Sequence, residues 1–300
     1  MPDLVVLGCG YVGAAVVRDA LRSGRKVTAL TRNPETAESL RRIGAQVVVA
    51  RLEESRWHSA LPAAGVDVVN TVSAGGGGVA GYATSYVRGL ESARLWAAKG
   101  PARCLVYTSS TSVYGPDAGE EVTESSPAHP QAPTGELLLQ AERLVHSAEG
   151  LSWKFGYVLR LTGIYGPGRH HLLDQVRAGT GSVAGTPDVV LNLIHRDDAA
   201  SAIGQILGAP DRVAGPRVFN VSDDGRATRG EIVGWLAKAL GVPLPAFSGE
   251  PAPGRRSLTP NRVVRNDLLK ATWGWTPSFP SFREGYASIL NPLPFTQPPH

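Results

Sequence analysis

Gly8, Gly10 and Gly13 form a G-x-G-x-x-G pattern directly after the apolar run Leu4-Val5-Val6-Leu7. The chemistry open to such spacing is anion binding. Four consecutive apolar residues predict a strand buried on both faces, and Ala14 to Arg22 continues with helical periodicity. Gly8 then permits a tight turn, Gly10 lets the backbone approach a pyrophosphate, and Gly13 lets the helix pack close on the strand. The start of that helix offers free N–H groups and a partial positive charge. Gly8, Cys9, Gly10, Tyr11, Val12 and Gly13 are therefore the candidates for holding a dinucleotide.

The next strand, Lys26 to Thr31, ends in Leu30-Thr31-Arg32-Asn33, with no carboxylate before Glu35. Dinucleotide sites that select NAD place an acidic residue here for the ribose hydroxyls. An arginine instead pairs with a 2′-phosphate that a carboxylate would repel, so Arg32 favours NADP(H) over NAD(H). Ser109 and Ser110 end another predicted strand, where their hydroxyls can bond a ligand oxygen or cap free backbone groups. Tyr114 and Tyr165 each follow a predicted strand at the sheet edge where ligands bind, and each could supply a proton or pack as an aromatic. Arg169 follows Gly166-Pro167-Gly168 and suits a phosphate or carboxylate. His170 and His171 have no acidic or cysteine partners at ligand spacing, so no metal site is expected. His195 and Asp197 or Asp198 read as a fold-closing histidine and a helix N-cap.

Strands and helices alternate around these residues. Strands are expected at Val47-Val48-Val49, Val66 to Val72, Cys104 to Thr108 and Tyr157 to Leu161. Helices are expected from Asn33-Pro34 to about Ile43, from Tyr82 to Lys99 and from Gly135 to Ser147, with a loose loop at Gly75 to Gly78. That order predicts an α/β fold, a doubly wound parallel sheet with helices on both faces. Residues 1–162 form its nucleotide-binding part, completed by a strand at Val189 to Ile194, a helix at Asp197 to Leu207 and a strand at Val218 to Val221. Residues 163–188 and 222–300 are expected to form a smaller C-terminal substrate lobe. Within it Thr228-x-x-Glu231 is a capping box opening a helix to about Leu240, Val242 to Pro260 is rich in proline and glycine, and a short helix covers Asn266 to Ala271. Asn291 to His300 reads as a loose tail.

The 300 residues are 42% hydrophobic and 19% charged, with a net charge of +4, which is the composition of a globular chain with a full core. The arginines are scattered rather than clustered, a pattern for anionic small molecules and against nucleic acid. Cys9 and Cys104 are expected as reduced core residues. A strand begins almost at once and no apolar run reaches membrane-spanning length, so a cytoplasmic location without a membrane partner is expected. A homodimer is left open.

The motifs together carry a resemblance. Gly8-x-Gly10-x-x-Gly13, Tyr107-Thr108-Ser109-Ser110-Thr111-Ser112-Val113-Tyr114-Gly115, Gly163 through Arg169, Leu193-Ile194-His195-Arg196-Asp197-Asp198, Phe219 through Asp224 and Trp273-Gly274-Trp275 resemble the NAD-dependent epimerase/dehydratase branch of the short-chain dehydrogenase/reductases. More narrowly, they resemble its atypical, YeeZ-like members. The resemblance implies a Rossmann domain, a small substrate lobe and action on sugar-nucleotide-like molecules. It matches Ser110 to the family's catalytic serine and places Arg169 near the substrate pocket. The family's Tyr-x-x-x-Lys falls, with Glu142 as the alignment pin, on Thr134 and Leu138. The usual relay uses the lysine charge to lower the tyrosine pKa, and neither threonine nor leucine can reproduce it. The family's adenine-binding aspartate is replaced by Arg51-Leu52-Glu53, where Glu53 can substitute.

Two functions follow. One is an NADP(H)-dependent oxidoreductase or epimerase-like enzyme on a small anionic or sugar-like substrate, with Ser110, Thr134 and Tyr114 as the hydroxyls near the chemistry and Tyr165 and Arg169 toward the substrate. The other is a non-catalytic NADP(H)-binding regulatory protein.

Overall fold

Strands whose every residue is buried require helices on both sides of their sheet, and β1 (Leu4–Leu7) is buried throughout. The computed structural model describes residues 1–115, 118–149, 151–209, 217–251 and 259–291. In chain order the further strands are β2 (Val27–Thr31), β3 (Gln46–Val49), β4 (Asp67–Asn70), β5 (Ala102–Ser110), β6 (Ala118–Val122), β7 (Trp153–Leu161), β8 (Gly163–Tyr165), β9 (Ser182–Val183), β10 (Leu193–His195), β11 (Val218–Val221), β12 (Ala246–Phe247) and β13 (Asn261–Val264). The large sheet has seven strands in the order β11-β7-β5-β4-β1-β2-β3, all parallel. The chain runs outward from β1 to β3 and then returns to β4 on the other side of β1. The crevice for a ligand therefore opens between the ends of β1 and β4.

The helices divide between the two faces. α1 (Tyr11–Arg22) buries Val12, Ala15, Val16 and Val17 on one face. α2 (Pro34–Arg42) begins as expected, with Asn33 Oδ1 accepting from the N–H groups of Glu35 and Thr36. The helix expected from Tyr82 to Lys99 is instead α3 (Gly78–Tyr82), a π-helix over Ala83–Arg88, and α4 (Gly89–Ala97). The π-turn's wider spacing turns Ser85 and Val87 inward while stacking Tyr82 and Tyr86 with ring centroids 5.0 Å apart; periodicity alone carries no sign of it. α4 and α5 (Pro133–Ser147) cover the second face, where Trp57, Trp96 and Trp153 are buried.

Beyond β7 a second core forms around α6 (His171–Arg177), α8 (Arg229–Leu240) and α10 (Phe282–Leu290), including Leu173, Ile232, Leu236, Phe282 and Tyr286. The capping box of Thr228 and Glu231 is formed, and Ser281 and Glu284 form another. α7 (Arg196–Gly208) and α9 (Asp267–Trp273) lie with the large sheet instead, since Ile203, Leu269 and Trp275 share the core of α1. The strand expected from Val189 to Ile194 is reduced to β10. Ahead of it the Val190 N–H donates to Asn261 Oδ1 and the Leu191 N–H to the Ala227 carbonyl, while the Asn192 side chain reaches across to the Arg262 carbonyl and the Val264 N–H. The expected tail, apart from Asn291, and residues 252–258 of the proline- and glycine-rich stretch lie outside the described residues.

A buried carboxylate locks the sheet's lower end. Asp67 at the start of β4 is fully buried, 2.8 Å from Arg25 Nη2 and 3.2 Å from Arg103 Nε. Removing one member of a buried pair leaves a charge without compensation. Asp67→Ala is expected to lower unfolding free energy by about 3–5 kcal/mol in urea titration, whereas a loss within the range of surface substitutions would show the pair to be solvated.

Candidate nucleotide and active site

Gly8 ends β1 with φ +83°, and a Cβ there would lie 2.7 Å from the backbone of Val72 beyond β4. A Cβ on Gly13 would lie 2.5 Å from the Gly8 carbonyl oxygen and would also strike Thr71 Oγ1. That hydroxyl donates to the same carbonyl at 2.6 Å, so turn, helix and β4 loop meet backbone to backbone. Above Gly10 nothing lies within 4 Å of an added Cβ. Gly10 also caps α1 without any side-chain hydrogen bond, leaving the first amides of the helix facing open space. A cleft of about 240 Å³ starts at Gly8, Cys9 and Gly10 and runs past Arg32, Asn33 and Thr36 to Arg51, Leu52, Glu53, Ser73 and Ser85. This cradle fits a dinucleotide's adenosine and phosphate portion.

The individual turn residues divide their tasks. Cys9 is buried, its thiol is held on the Val6 carbonyl, and burial pushes its pKa up to about 12. It packs and does not react. Val12 is buried beneath the turn. The Tyr11 hydroxyl donates to the Pro167 carbonyl at 3.0 Å, and its ring carries the guanidinium groups of Arg196 at 5.1 Å and Arg169 at 5.6 Å. Arg32 is exposed at the cleft rim, against Gly75 of the glycine loop. Arg51 sits 3.6 Å from Glu53, and both line the cleft. Thr71, Ser73 and Ser85 also line the cleft and carry no local signal in the sequence; Ser85 comes to it from the π-helix.

The hydroxyls expected near the chemistry are occupied elsewhere. Ser109 is expected at the cofactor, but its Oγ donates to Glu142 Oε1 at 2.6 Å. Arg160 donates to both oxygens of that buried carboxylate, at 3.1 and 2.7 Å. Tyr114 is expected as an acid, yet its ring lies under Arg160 at 4.9 Å and its hydroxyl donates to Asn220 Oδ1 at 2.8 Å. Burial raises the Tyr114 pKa further. Tyr165 is expected at the substrate, but it is buried in the lobe core between His195 and Tyr286, with its hydroxyl unpartnered against Gly285. Desolvation drives its pKa far upward. Ser109 lies within β5, Tyr165 closes β8 and Tyr114 follows the short 3₁₀ turn after β5, and in each case packing between layers holds the side chain inward.

Ser110 stays at the strand edge, half-buried, and accepts the Ser112 N–H at 3.1 Å as the cap of a short 3₁₀ turn. Thr134 stands half-exposed in the first turn of α5. One turn on, Leu138 is 2% exposed and packs in a cluster with Val113 and Tyr114, against which Tyr82 and Tyr86 rest. Leu138, where the resemblance expects the family's lysine, is thus surrounded by hydrocarbon.

His195, expected to close the fold, is buried against Phe279 with ring centroids 4.0 Å apart. It also caps α7, since Nδ1 accepts the Asp197 N–H at 3.3 Å. This corrects the expected aspartate cap. Asp198 instead accepts from the backbone N–H groups of Ser278 and Phe279 at 2.7 and 2.9 Å.

The sheet order, the switch-point cleft and the bare helix end define a Rossmann-type dinucleotide-binding protein. The model of the NAD-dependent epimerase/dehydratase family matches residues 4–222, and the chain belongs to that family. It is 28% identical over 273 residues to the protein YeeZ of Escherichia coli, covering 89% of this chain and 94% of YeeZ, which supports the YeeZ-like subgroup expected from the motifs. It is 29% identical to a 3-diazoavenalumate denitrifying reductase of a Streptomyces species over 95% of this chain and 99% of that protein. A UDP-glucuronic acid 4-epimerase from Bacillus cereus, solved with UDP-glucuronic acid and NAD, shares the fold with a TM-score of 0.82 at 18% identity, covering 96% of this chain and 98% of its own. Among the described residues no helix is long and apolar enough to cross a membrane.

Burial lowers the His195 pKa to about 4, and its Nε2 has no partner. In the unfolded chain a histidine titrates near 6.5. The folded state therefore binds fewer protons between these values, and the stability present above pH 6.5 is lost as pH falls toward 4. Between pH 7.5 and 5 this amounts to about 2 kcal/mol. Denaturant titrations at the two pH values are expected to show His195→Gln losing correspondingly less than the wild type; parallel losses would place the acid sensitivity elsewhere.

Proposed function

We propose that this chain is an NADP(H)-dependent oxidoreductase that works on a small anionic or sugar-like molecule without a Tyr/Lys relay. The observation that carries the reading is the pairing of a built dinucleotide cleft with Thr134 and a buried Leu138. When bound, the nicotinamide supplies hydride chemistry. The protein's part is to hold and orient. The α1 amides and Gly10 take the diphosphate, Arg32 takes the 2′-phosphate, and Arg51 lies at the same rim.

Acidity limits how protons move at the reacting oxygen. A threonine hydroxyl cannot lose its proton near neutral pH under ordinary neighbours, and Leu138 brings no charge to help it. Thr134 and Ser110 can donate hydrogen bonds to an oxygen that gains negative charge, but they cannot strip an alcohol. Reduction and oxidation share one transition state, so the proton that an alkoxide gains after hydride arrives, or that an alcohol loses as hydride leaves, is exchanged with solvent water rather than with these side chains. The similarity to a protein named as a reductase supports this reading, and the fold shared with a sugar-nucleotide epimerase supports a sugar-like substrate class. A second reading, an NADP(H)-binding regulator, is favoured by the inward commitment of Ser109, Tyr114 and Tyr165.

Fluorescence titration with NADPH and NADH tests the cofactor. Arg32→Ala is expected to weaken NADPH by about tenfold or more and to leave NADH nearly unchanged. Equal NADPH affinity in mutant and wild type would end the role of Arg32. A screen of sugar nucleotides and small aldehydes and ketones, read by nicotinamide absorbance with product analysis, then separates enzyme from regulator: binding without turnover supports the regulator.

A further inference from the structure

We propose that Arg169 is a cofactor residue rather than a substrate residue: held on the ring of Tyr11, its guanidinium grips the dinucleotide's diphosphate from the side of the small lobe. This rests on the NADP(H) reading of the cleft. Tyr11 is the first residue of α1, directly after the open position of Gly10. Two guanidinium groups lie over its ring, and they differ in their partners. Arg196 is engaged by Asp197, 2.8 Å from its Nε. Arg169 is exposed and has no carboxylate partner among the described residues. An arginine that rests on the ring of the first helical residue and has no carboxylate partner has its donors free for an anion, and a diphosphate carries more negative charge than the partial charge of a helix end offsets.

The loop carrying Arg169 is held in place. Its Pro167 carbonyl accepts the Tyr11 hydroxyl at 3.0 Å, and the Gly166 and Arg169 backbones bond each other at 3.0 Å in both directions. Gly166 is wedged so closely that an added Cβ would lie 2.8 Å from Tyr11 Oη and 3.1 Å from His195 Nε2. A guanidinium presented from such a loop loses little freedom on binding. The same loop joins β8 to α6, whose Leu172, Leu173 and Val176 belong to the lobe core. A diphosphate held by Arg169 would therefore be joined through this loop to the lobe core.

Two ligands separate the claims. NADPH contains the diphosphate; adenosine 2′-monophosphate contains the 2′-phosphate and adenine but no diphosphate. In fluorescence and calorimetric titration of the full chain, Arg169→Gln is expected to weaken NADPH about tenfold and to leave adenosine 2′-monophosphate unchanged, while Arg32→Ala weakens both. Tyr11→Leu, which removes the platform, is expected to show the selectivity of Arg169→Gln with a smaller loss. Unchanged NADPH affinity in Arg169→Gln, or an equal loss for the two ligands, would overturn the assignment while leaving the NADP(H) reading intact. A wild type that binds neither NADPH nor NADH would overturn both.

Discussion

The contact that the rest of the molecule depends on is the meeting of three backbones at the sheet's switch point. The Gly8 carbonyl accepts the Thr71 hydroxyl and lies where a side chain on Gly13 would have to stand. Because no Cβ intervenes, α1 can sit directly on β1 and β4, and its amino end is aimed at the crevice. Any side chain at these glycines would push the helix away and blunt its positive end. The covered sheet, the bare amides and the cleft are consequences of one close approach.

On the other half of the crevice a different constraint operates. Glu142 is buried, and a buried carboxylate must be paired and hydrogen-bonded. Ser109 and Arg160 meet that need. Arg160 in turn lies on Tyr114, whose hydroxyl reaches Asn220, and the Asn220 N–H donates to Glu124. The chain of partners ties α5 to β5, β7 and β11 beneath the reactive edge. It takes hydroxyls that would otherwise be free for chemistry and makes them structural, while Leu138 fills the neighbouring space with hydrocarbon. A site arranged in this way can hold and orient a dinucleotide better than it can move a proton out of an alcohol.

The candidate site was legible unevenly. The phosphate cradle could be read because its residues are contiguous, and each glycine has a local reason to be one. The place of Arg32 at the cleft rim and of Asn33 at the start of α2 is legible because both follow a strand directly. Ser109, Tyr114 and Tyr165 were read to the correct strand ends, but the direction of a side chain at a strand end depends on partners tens of residues away. The π-helix shows the same limit: its register is set by packing of Tyr82 and Tyr86 over Leu138, and nothing in local spacing announces it. Likewise Val190, in a stretch that alternation alone predicts as strand, gives its N–H to the side chain of Asn261.

By itself, then, the order of residues determined the alternation of strand and helix, the place of the glycine turn, the capped start of α2 and the capping box of α8. All of these are short-range: they depend on residue type, on periods of two or 3.6, and on turns closed within a few positions. Only the tertiary structure decided which hydroxyls face the cleft, which arginine is left without a carboxylate, and that the loop at Gly166 rests on the first helix 155 residues upstream. Those outcomes are competitions between distant groups for the same buried partners, and such competitions are resolved only when the layers close.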